Sequence, residues 1–527
     1  MKILEKHDPT NVISKGRRSF VGLYDFTFYD LINRNAICFR ERDAWFEVHA
    51  NRCLTFSQYK EDVDRLAAGL QKSGIKKGDR IGILAKNSLE YFSLYGASAA
   101  LGAIAVPINW RLSADEVAYN LNDCTPKVVF VGKEYQEMVE HLKGKLSSVE
   151  NYFNLGGKGG KLSDFETLIG HGALFERPEV SADDGFVIIH TAAVGGKPRG
   201  ALLSHRNVLC ASIHLHYLLN VTERDVHLNL LPLFHVAGLL MTTASFHAGA
   251  LTVNVSKFDA TKAVELIEDK KVSIFMEFPP ILGSILKEHE KTKKKIRSLR
   301  AVAGLESPET IEKYQVMTGG TFYVLYGQTE TSGLVTLGTY NDRPGSAGRV
   351  LSLAEVRLVD DYDHPVPVGE VGEITVRGPM VFKGYWNLPE DNKYTFRGGR
   401  HHTGDLGRFD EDGFLWYEGR KAEKELIKSG GENVYPAEVE KVILQHPAVK
   451  RAIVFGVPDP KWKEGIKAVC QLKEGESLEP QELIDFVGEK IARYKKPQYV
   501  EFITDFPLLE DGSPDRDKIK KLYGKGQ

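Results

Sequence analysis

The chain has 527 residues, 42% hydrophobic and 27% charged, an ordinary balance for a globular protein of more than one domain. Lys+Arg number 69 against 71 Asp+Glu, a formal net charge of -2 that argues against an extended nucleic-acid-binding face but leaves room for a local basic pocket. The five cysteines (Cys38, Cys53, Cys124, Cys210 and Cys470) are scattered and never spaced as CxxC, so neither a disulfide framework nor a zinc site is expected, and a reducing, cytoplasmic setting is.

The opening MKILEKHDPT lacks the apolar core of a secretory signal. In TFSQYKEDVDRLAAGLQKSG, the residues Tyr59, Val63, Leu66 and Leu70 fall on one helical face, and Gly74 stands where a C-terminal glycine cap belongs. RIGILA then reads as a buried strand, 88 to about 101 as a helix, and AIAVPI as another strand. This βαβ rhythm predicts a layered parallel sheet. Two uncharged runs, 91–110 and 228–256, are long enough to span a bilayer. Their small residues, prolines and histidines mark them instead as buried core of an α/β domain, with no stable membrane insertion. GGKGGK, at 156–161, reads as a surface loop.

From about residue 345 to 420 the period shortens to two. AEVRLVD and EITVRG alternate apolar and polar residues, and GRFD and FLWYEGR flank the turn signal Asp412-Gly413. This predicts a β-rich part at the end of a large N-terminal domain, residues 1–423. Beyond it, Pro436 starts a helix with Val439, Val442 and Ile443 inward, followed by the strands RAIVFGV and KAVCQLK, a helix near 480–492, and YVEFI. Residues 424–527 thus form a small α+β domain, and the whole chain is of the α/β class.

Four segments carry polar chemistry. TAAVGGKPRG (191–200) follows the apolar run FVIIH; its glycines admit an anion to the backbone while Lys197 and Arg199 add charge, although it lacks the common P-loop spacing. YGQTE (326–330) follows FYVL and presents a ring, a hydroxyl and a carboxylate at a strand end. In HHTGDLG (401–407), Asp405 suits two ribose hydroxyls, whereas His401 and His402 read as solvated loop residues. KELIKSGGENVYPAEVE (424–440) joins the two domains through Gly430 and Gly431 and suits a hinge. Each alone also fits a plain turn, loop or linker.

In this order, together with VPINWRLSADEVAY, LPLFHVAG, VRGPMVFKGYW and VFGVPD, the segments resemble the adenylate-forming superfamily of acyl-CoA synthetases, luciferases and peptide-synthetase adenylation domains, from about Tyr29 to Pro514. The resemblance implies an acid-thiol ligase that uses ATP, Mg²⁺ and coenzyme A. A carboxylate attacks the α-phosphorus of ATP, pyrophosphate leaves, and the thiolate of coenzyme A then displaces AMP from the acyl-adenylate, in a reaction close to reversible. It implies that Thr191, Gly195, Gly196, Lys197 and Arg199 hold the phosphates, and that Thr329 meets the α-phosphate. Glu330 would bind the metal; Tyr326, Gly327, Gln328 and the backbone at Gly304 would flank the adenine. Asp405 and Arg420 would grip the ribose, Lys424 would mark the hinge of a mobile small domain, and Gly430 and Gly431 would line the coenzyme A tunnel. His235, Phe278 and Ala303 would shape the acyl pocket.

Three departures stand out. Ala192, Ala193 and Val194 replace the hydroxyl donors usual in the phosphate loop, Ser513 stands after Gly512 where the family carries a late catalytic lysine, and the stretch between Arg420 and Gly430 is two residues longer. They keep open a degenerate protein that binds nucleotide or acyl-CoA without adenylating. LPLFHVAG holds no carboxylate for a substrate ammonium and no carrier domain follows, so the expected substrate is an apolar acid: aromatic, alicyclic or medium-chain, with a cyclic carboxylate preferred. A homodimer is compatible with the sequence, which does not itself fix the oligomeric state.

Overall fold

The computed structural model describes residues 25–156, 162–169, 175–191, 198–421, 427–429, 432–460, 462–509 and 514–524. Two large sheets form the N-terminal part. Among the described residues one sheet has nine strands, with Ile274–Glu277, Ala301–Gly304 and Thr321–Tyr326 parallel at its centre. The other has eight, centred on Arg80–Leu84, Ile104–Pro107 and Gly185–Thr191.

The predicted early elements appear where the periodicity puts them. The helix Phe56–Lys72 opens on a capping box between Thr55 and Gln58, and buries Tyr59, Val63, Leu66 and Leu70. Its neighbour Leu89–Leu101 starts at a Ser88 cap and is buried all round. That burial explains the first uncharged run, and the helix Val236–Ala248, between the strands Val226–Asn229 and Leu251–Asn254, explains the second. No helix among the described residues is long and apolar enough to cross a membrane.

The β-rich part is a four-stranded antiparallel sheet of Glu355–Val359, Gly372–Arg377, His401–Phe409 and Leu415–Arg420. The last two strands are joined by the expected turn, in which Gly413 takes a φ of +79° and donates to Asp410 O. Two short strands inside the predicted bounds pair elsewhere: Arg349–Val350 with Thr336–Thr339 in the nine-stranded sheet, and Gly384–Tyr385 with Arg199–Ser204 in the eight-stranded one. The segment is therefore stitched into both large sheets.

In the C-terminal part, the strands Val449–Asp459, Lys463–Leu472 and Tyr499–Phe502 make one sheet. The helices Pro436–Ile443 and Pro480–Lys490 bury Val439, Val442, Ile443, Leu483 and Val487 in a core of its own with Val454, Ile466 and Ala468. The expected domain boundary, 423/424, lies outside the described residues, as do most of the loop at 156–161 and Ser513 with its neighbours. Among the described residues three ion pairs cross between the parts. Lys495 Nζ, 3% exposed, lies 2.5 Å from Glu116 and 2.6 Å from Glu438; Arg111 meets Glu432 at 2.8 Å; and Lys463 meets Glu306 at 2.7 Å.

Candidate active site

The ends of the central parallel strands of the nine-stranded sheet open onto a cavity of about 410 Å³, where an open α/β sheet characteristically takes its ligands. Asp405 forms one wall. The antiparallel register sets it opposite Arg420, and the Tyr326 hydroxyl donates to its Oδ2 at 2.8 Å. Gln328 Nε2 donates to the same oxygen and to Thr403 O. Arg420 Nε lies 2.8 Å from Asp405 Oδ1, but its N–H is not aimed there, so Oδ1 is buried without a hydrogen-bond donor. A buried carboxylate oxygen left without a donor is costly, and hydroxyl groups of a ligand would satisfy it. Burial opposes the charge of Arg420, yet Asp405 and then Tyr435, Tyr417 and Tyr326 outweigh it and hold the guanidinium above its ordinary pKa. Burial, followed by Asp405, likewise pushes the Tyr326 hydroxyl up, so it stays protonated and donating.

Glu330 lies on a single 3-10 turn, Thr329–Thr331, buried after the strand that ends at Tyr326. The Tyr385 hydroxyl donates to Glu330 Oε1 at 2.8 Å, and Thr191 Oγ1 approaches the same atom at 3.5 Å. Arg199 stands beside them, its guanidinium 3.9 Å from the Tyr385 ring centre, 3.2 Å from the Tyr385 hydroxyl and paired with Asp391 at 2.8 Å. Thr191 and Arg199 face each other as register partners of two antiparallel strands.

The opposite side of the cavity is apolar: Val236, Ala237, Met276, Phe278, Leu325 and Gly333 line it. His235 caps the helix Val236–Ala248 by accepting Ala237 N on Nδ1. Burial lowers its pKa, so the ring is neutral and carries its proton on Nε2, where it can donate. A second space of about 260 Å³ adjoins through His235, Phe278 and Pro279, and is bordered by Trp110, Phe234, Arg111 and Glu432. The small domain contributes Lys428, Tyr435, Trp462, Lys463 and Glu464 to the main cavity.

Of the residues expected from sequence, Thr191, Arg199, His235, Phe278, Tyr326, Gly327, Gln328, Thr329, Glu330, Asp405 and Arg420 line this one cavity. Ala303 does not; it is fully buried in the apolar cluster beneath, and Met276, its register partner one strand over, takes the lining position. Gly304 does not line it either, although Leu305 and Glu306 do. With a φ of +153°, Gly304 passes so close to the neighbouring strand that a Cβ would stand 2.0 Å from Glu277 O. Gly195, Gly196, Lys197, Lys424, Gly430 and Gly431 lie outside the described residues.

The reading of His401 and His402 as solvated loop residues is overturned. Both are buried in the strand His401–Phe409; His402 Nδ1 lies 3.3 Å from Glu373, and His401 pairs with Thr395 Oγ1 and Gln328 Oε1. Their polarity is spent on core hydrogen bonds, which a pattern of residue types does not reveal. Sequence reasoning also missed Tyr385, Lys428 and Tyr435. Each sits in a stretch that the resemblance covers, but only the fold turns its side chain toward the cavity.

A family model described as AMP-binding enzyme matches residues 33–386, and one described as AMP-binding enzyme C-terminal domain matches 438–512. The chain belongs to the AMP-binding enzyme family. It is 33% identical over 500 residues to an indoleacetate–CoA ligase of Aromatoleum aromaticum, covering 93% of this chain and 96% of that one. To a long-chain-fatty-acid–CoA ligase of Mycobacterium tuberculosis it is 32% identical, over 91% of this chain and 95% of the other. Among solved structures, an o-succinylbenzoate CoA synthetase of Bacillus subtilis matches with a TM-score of 0.81 at 29% identity, covering 93% and 98% of the two chains.

Proposed function

We propose that this acid–thiol ligase of the AMP-binding family activates an apolar carboxylic acid as its adenylate and passes the acyl group to coenzyme A. The observation that carries the reading is the gathering, around one cavity, of Thr191, Arg199, Tyr326, Thr329, Glu330, Asp405 and Arg420 from segments far apart in the chain.

The geometry supports a role for each. Asp405, fixed through Oδ2 by Tyr326 and Gln328, offers Oδ1 to the ribose hydroxyls of AMP. Glu330 is a hard oxygen ligand, and no described residue donates to its Oε2; that fits Mg²⁺, which keeps several waters and shares one or two carboxylates with substrate phosphates. A metal held by Glu330 would supply positive charge to offset the negative charge developing on the leaving pyrophosphate. Thr329, Thr191 and Arg199 stand by to orient the α-phosphate and its neighbours. The acid's tail would lie among Val236, Met276, Leu325 and Phe278, with His235 beside them. An aromatic, alicyclic or fatty tail suits such walls.

The small domain is turned so that Lys428 and Tyr435 line the cavity, while Arg516, at the start of the helix Arg516–Tyr523, bonds Glu440 and Val454 O. We assign this arrangement to the thioester-forming half of the cycle. Rotation of the small domain would be needed to bring its last residues near the α-phosphate. A cytoplasmic enzyme, reduced at all five free cysteines, is the setting this chemistry suits.

The test is acid-dependent exchange of labelled pyrophosphate into ATP with Mg²⁺, across aromatic, alicyclic and fatty acids, followed by thioester formation on adding coenzyme A. Exchange with one class identifies both the activity and the pocket. Nucleotide binding without exchange for any acid would favour the degenerate reading.

A further inference from the structure

Away from the groups just assigned, Asp123, Cys124 and His190 meet at one point. We propose that they form a binding site for a single divalent transition-metal ion of the zinc type, on the flank of the strand that leads into Thr191. The sequence hides it: Asp123 and Cys124 close the helix Ala114–Cys124, while His190 lies on the strand Gly185–Thr191.

Three donors of different kinds converge. His190 Nε2 is 3.0 Å from Asp123 Oδ2, Cys124 Sγ is 3.9 Å from His190 Nε2, and Cys124 Sγ is 4.0 Å from Asp123 Oδ2. A tetrahedral zinc ion with ordinary bond lengths of about 2.0–2.3 Å separates such donors by roughly 3.3–3.6 Å, so shifts of about half an ångström complete the triangle. Thiolate, imidazole and carboxylate together suit borderline metals, not Mg²⁺, which prefers oxygen alone.

The surroundings agree. Cys124 is fully buried and the His190 side chain is 4% exposed, whereas Asp123 is 20% exposed, which leaves an entry and a position for water as fourth ligand. His190 Nδ1 has no hydrogen-bond partner, so the ring proton can sit there when Nε2 takes a metal. Asp123 and Cys124 are the last two residues of their helix, whose C-terminal partial negative charge favours a cation, with the Cys124 carbonyl already accepting from Arg80 Nε at 2.7 Å. Coordination releases the Cys124 thiol proton to solvent, and no oxidant or other reactant is involved. An occupied site ties the end of that helix to the strand one residue before Thr191.

Cobalt(II) titration of the chelator-treated, reduced full chain tests this without nucleotide or acid. The expected result is saturation near one equivalent, with an intense near-ultraviolet thiolate-to-cobalt band that Zn²⁺ bleaches. Cys124→Ser should abolish the band, and Asp123→Asn, at the exposed ligand, should weaken binding by about tenfold or more. Cobalt binding without the thiolate band, or a band that survives Cys124→Ser and disappears in Cys38→Ser/Cys53→Ser, would overturn the site. Should Cys124→Ser not fold, the double variant of the two exposed cysteines and Asp123→Asn decide: the band must survive the first and weaken in the second.

Discussion

Asp405 is held by three neighbours and still presents one oxygen unmatched, which makes it the most informative residue to change. Asp405→Asn keeps the shape but leaves Arg420 buried beside a neutral amide. Breaking a buried pair in this way costs about 3–5 kcal/mol of stability. Loss of a positioned acceptor should lower pyrophosphate exchange by about 10²–10³. Thermal unfolding and the exchange assay read the two effects separately, and a variant with normal exchange would remove Asp405 from the site. A second prediction concerns acid. Burial lowers the pKa of His205 to about 4 and of His227 and His247 to about 3, from an ordinary 6.5. The unfolded chain therefore binds more protons than the folded one below 6.5. The stability these rings allow is complete above that pH and is lost as the pH falls toward 4 and 3. The melting temperature should drop steadily between pH 6.5 and 4.5, and His227→Gln should flatten that slope.

At the scale of elements, the site depends on how closely neighbouring strands end. Gly304 is the tight point, where the backbone of one strand nearly touches Glu277 O of the next. Gly304→Ala forces the two strand ends apart, displacing Leu305 and Glu306 on one side and Phe278 on the other, all of which line the cavity. A misplacement of this kind weakens catalysis far more than it weakens folding. The expected outcome is a folded protein with strongly reduced exchange. Unaltered exchange would mean that the strand ends yield without cost to the site.

The whole molecule is held in its present arrangement by charges that cross between the parts. Lys495 bridges Glu116 of the large part and Glu438 of the small one, with all three side chains largely buried. Lys495→Met leaves two carboxylates facing each other and should disfavour this orientation. If the orientation serves thioester formation, the coenzyme A step slows by at least about tenfold, the effect of some 1.4 kcal/mol, while pyrophosphate exchange is retained. Single-turnover measurement of both steps distinguishes the outcomes; equal loss in both would show that the bridge merely stabilises the fold.

What the sequence by itself determined was local and ordered. Period and caps placed the helix Phe56–Lys72, the buried run ending at Leu101 and the Asp412-Gly413 turn, because these depend on neighbours a few residues away. The order of the polar segments identified the family and the polar part of the cavity wall from Tyr326 to Glu330, with Asp405 and Arg420. Tertiary structure decided whatever depends on which strands end side by side. It buried His401 and His402, kept Ala303 beneath the pocket in favour of Met276, turned Tyr385 onto Glu330, and brought Asp123 and Cys124 to His190. None of these contacts has a fixed spacing along the chain. Their geometry is set by sheet order and by the crossing of strands from different sheets, which periodicity along one segment cannot encode.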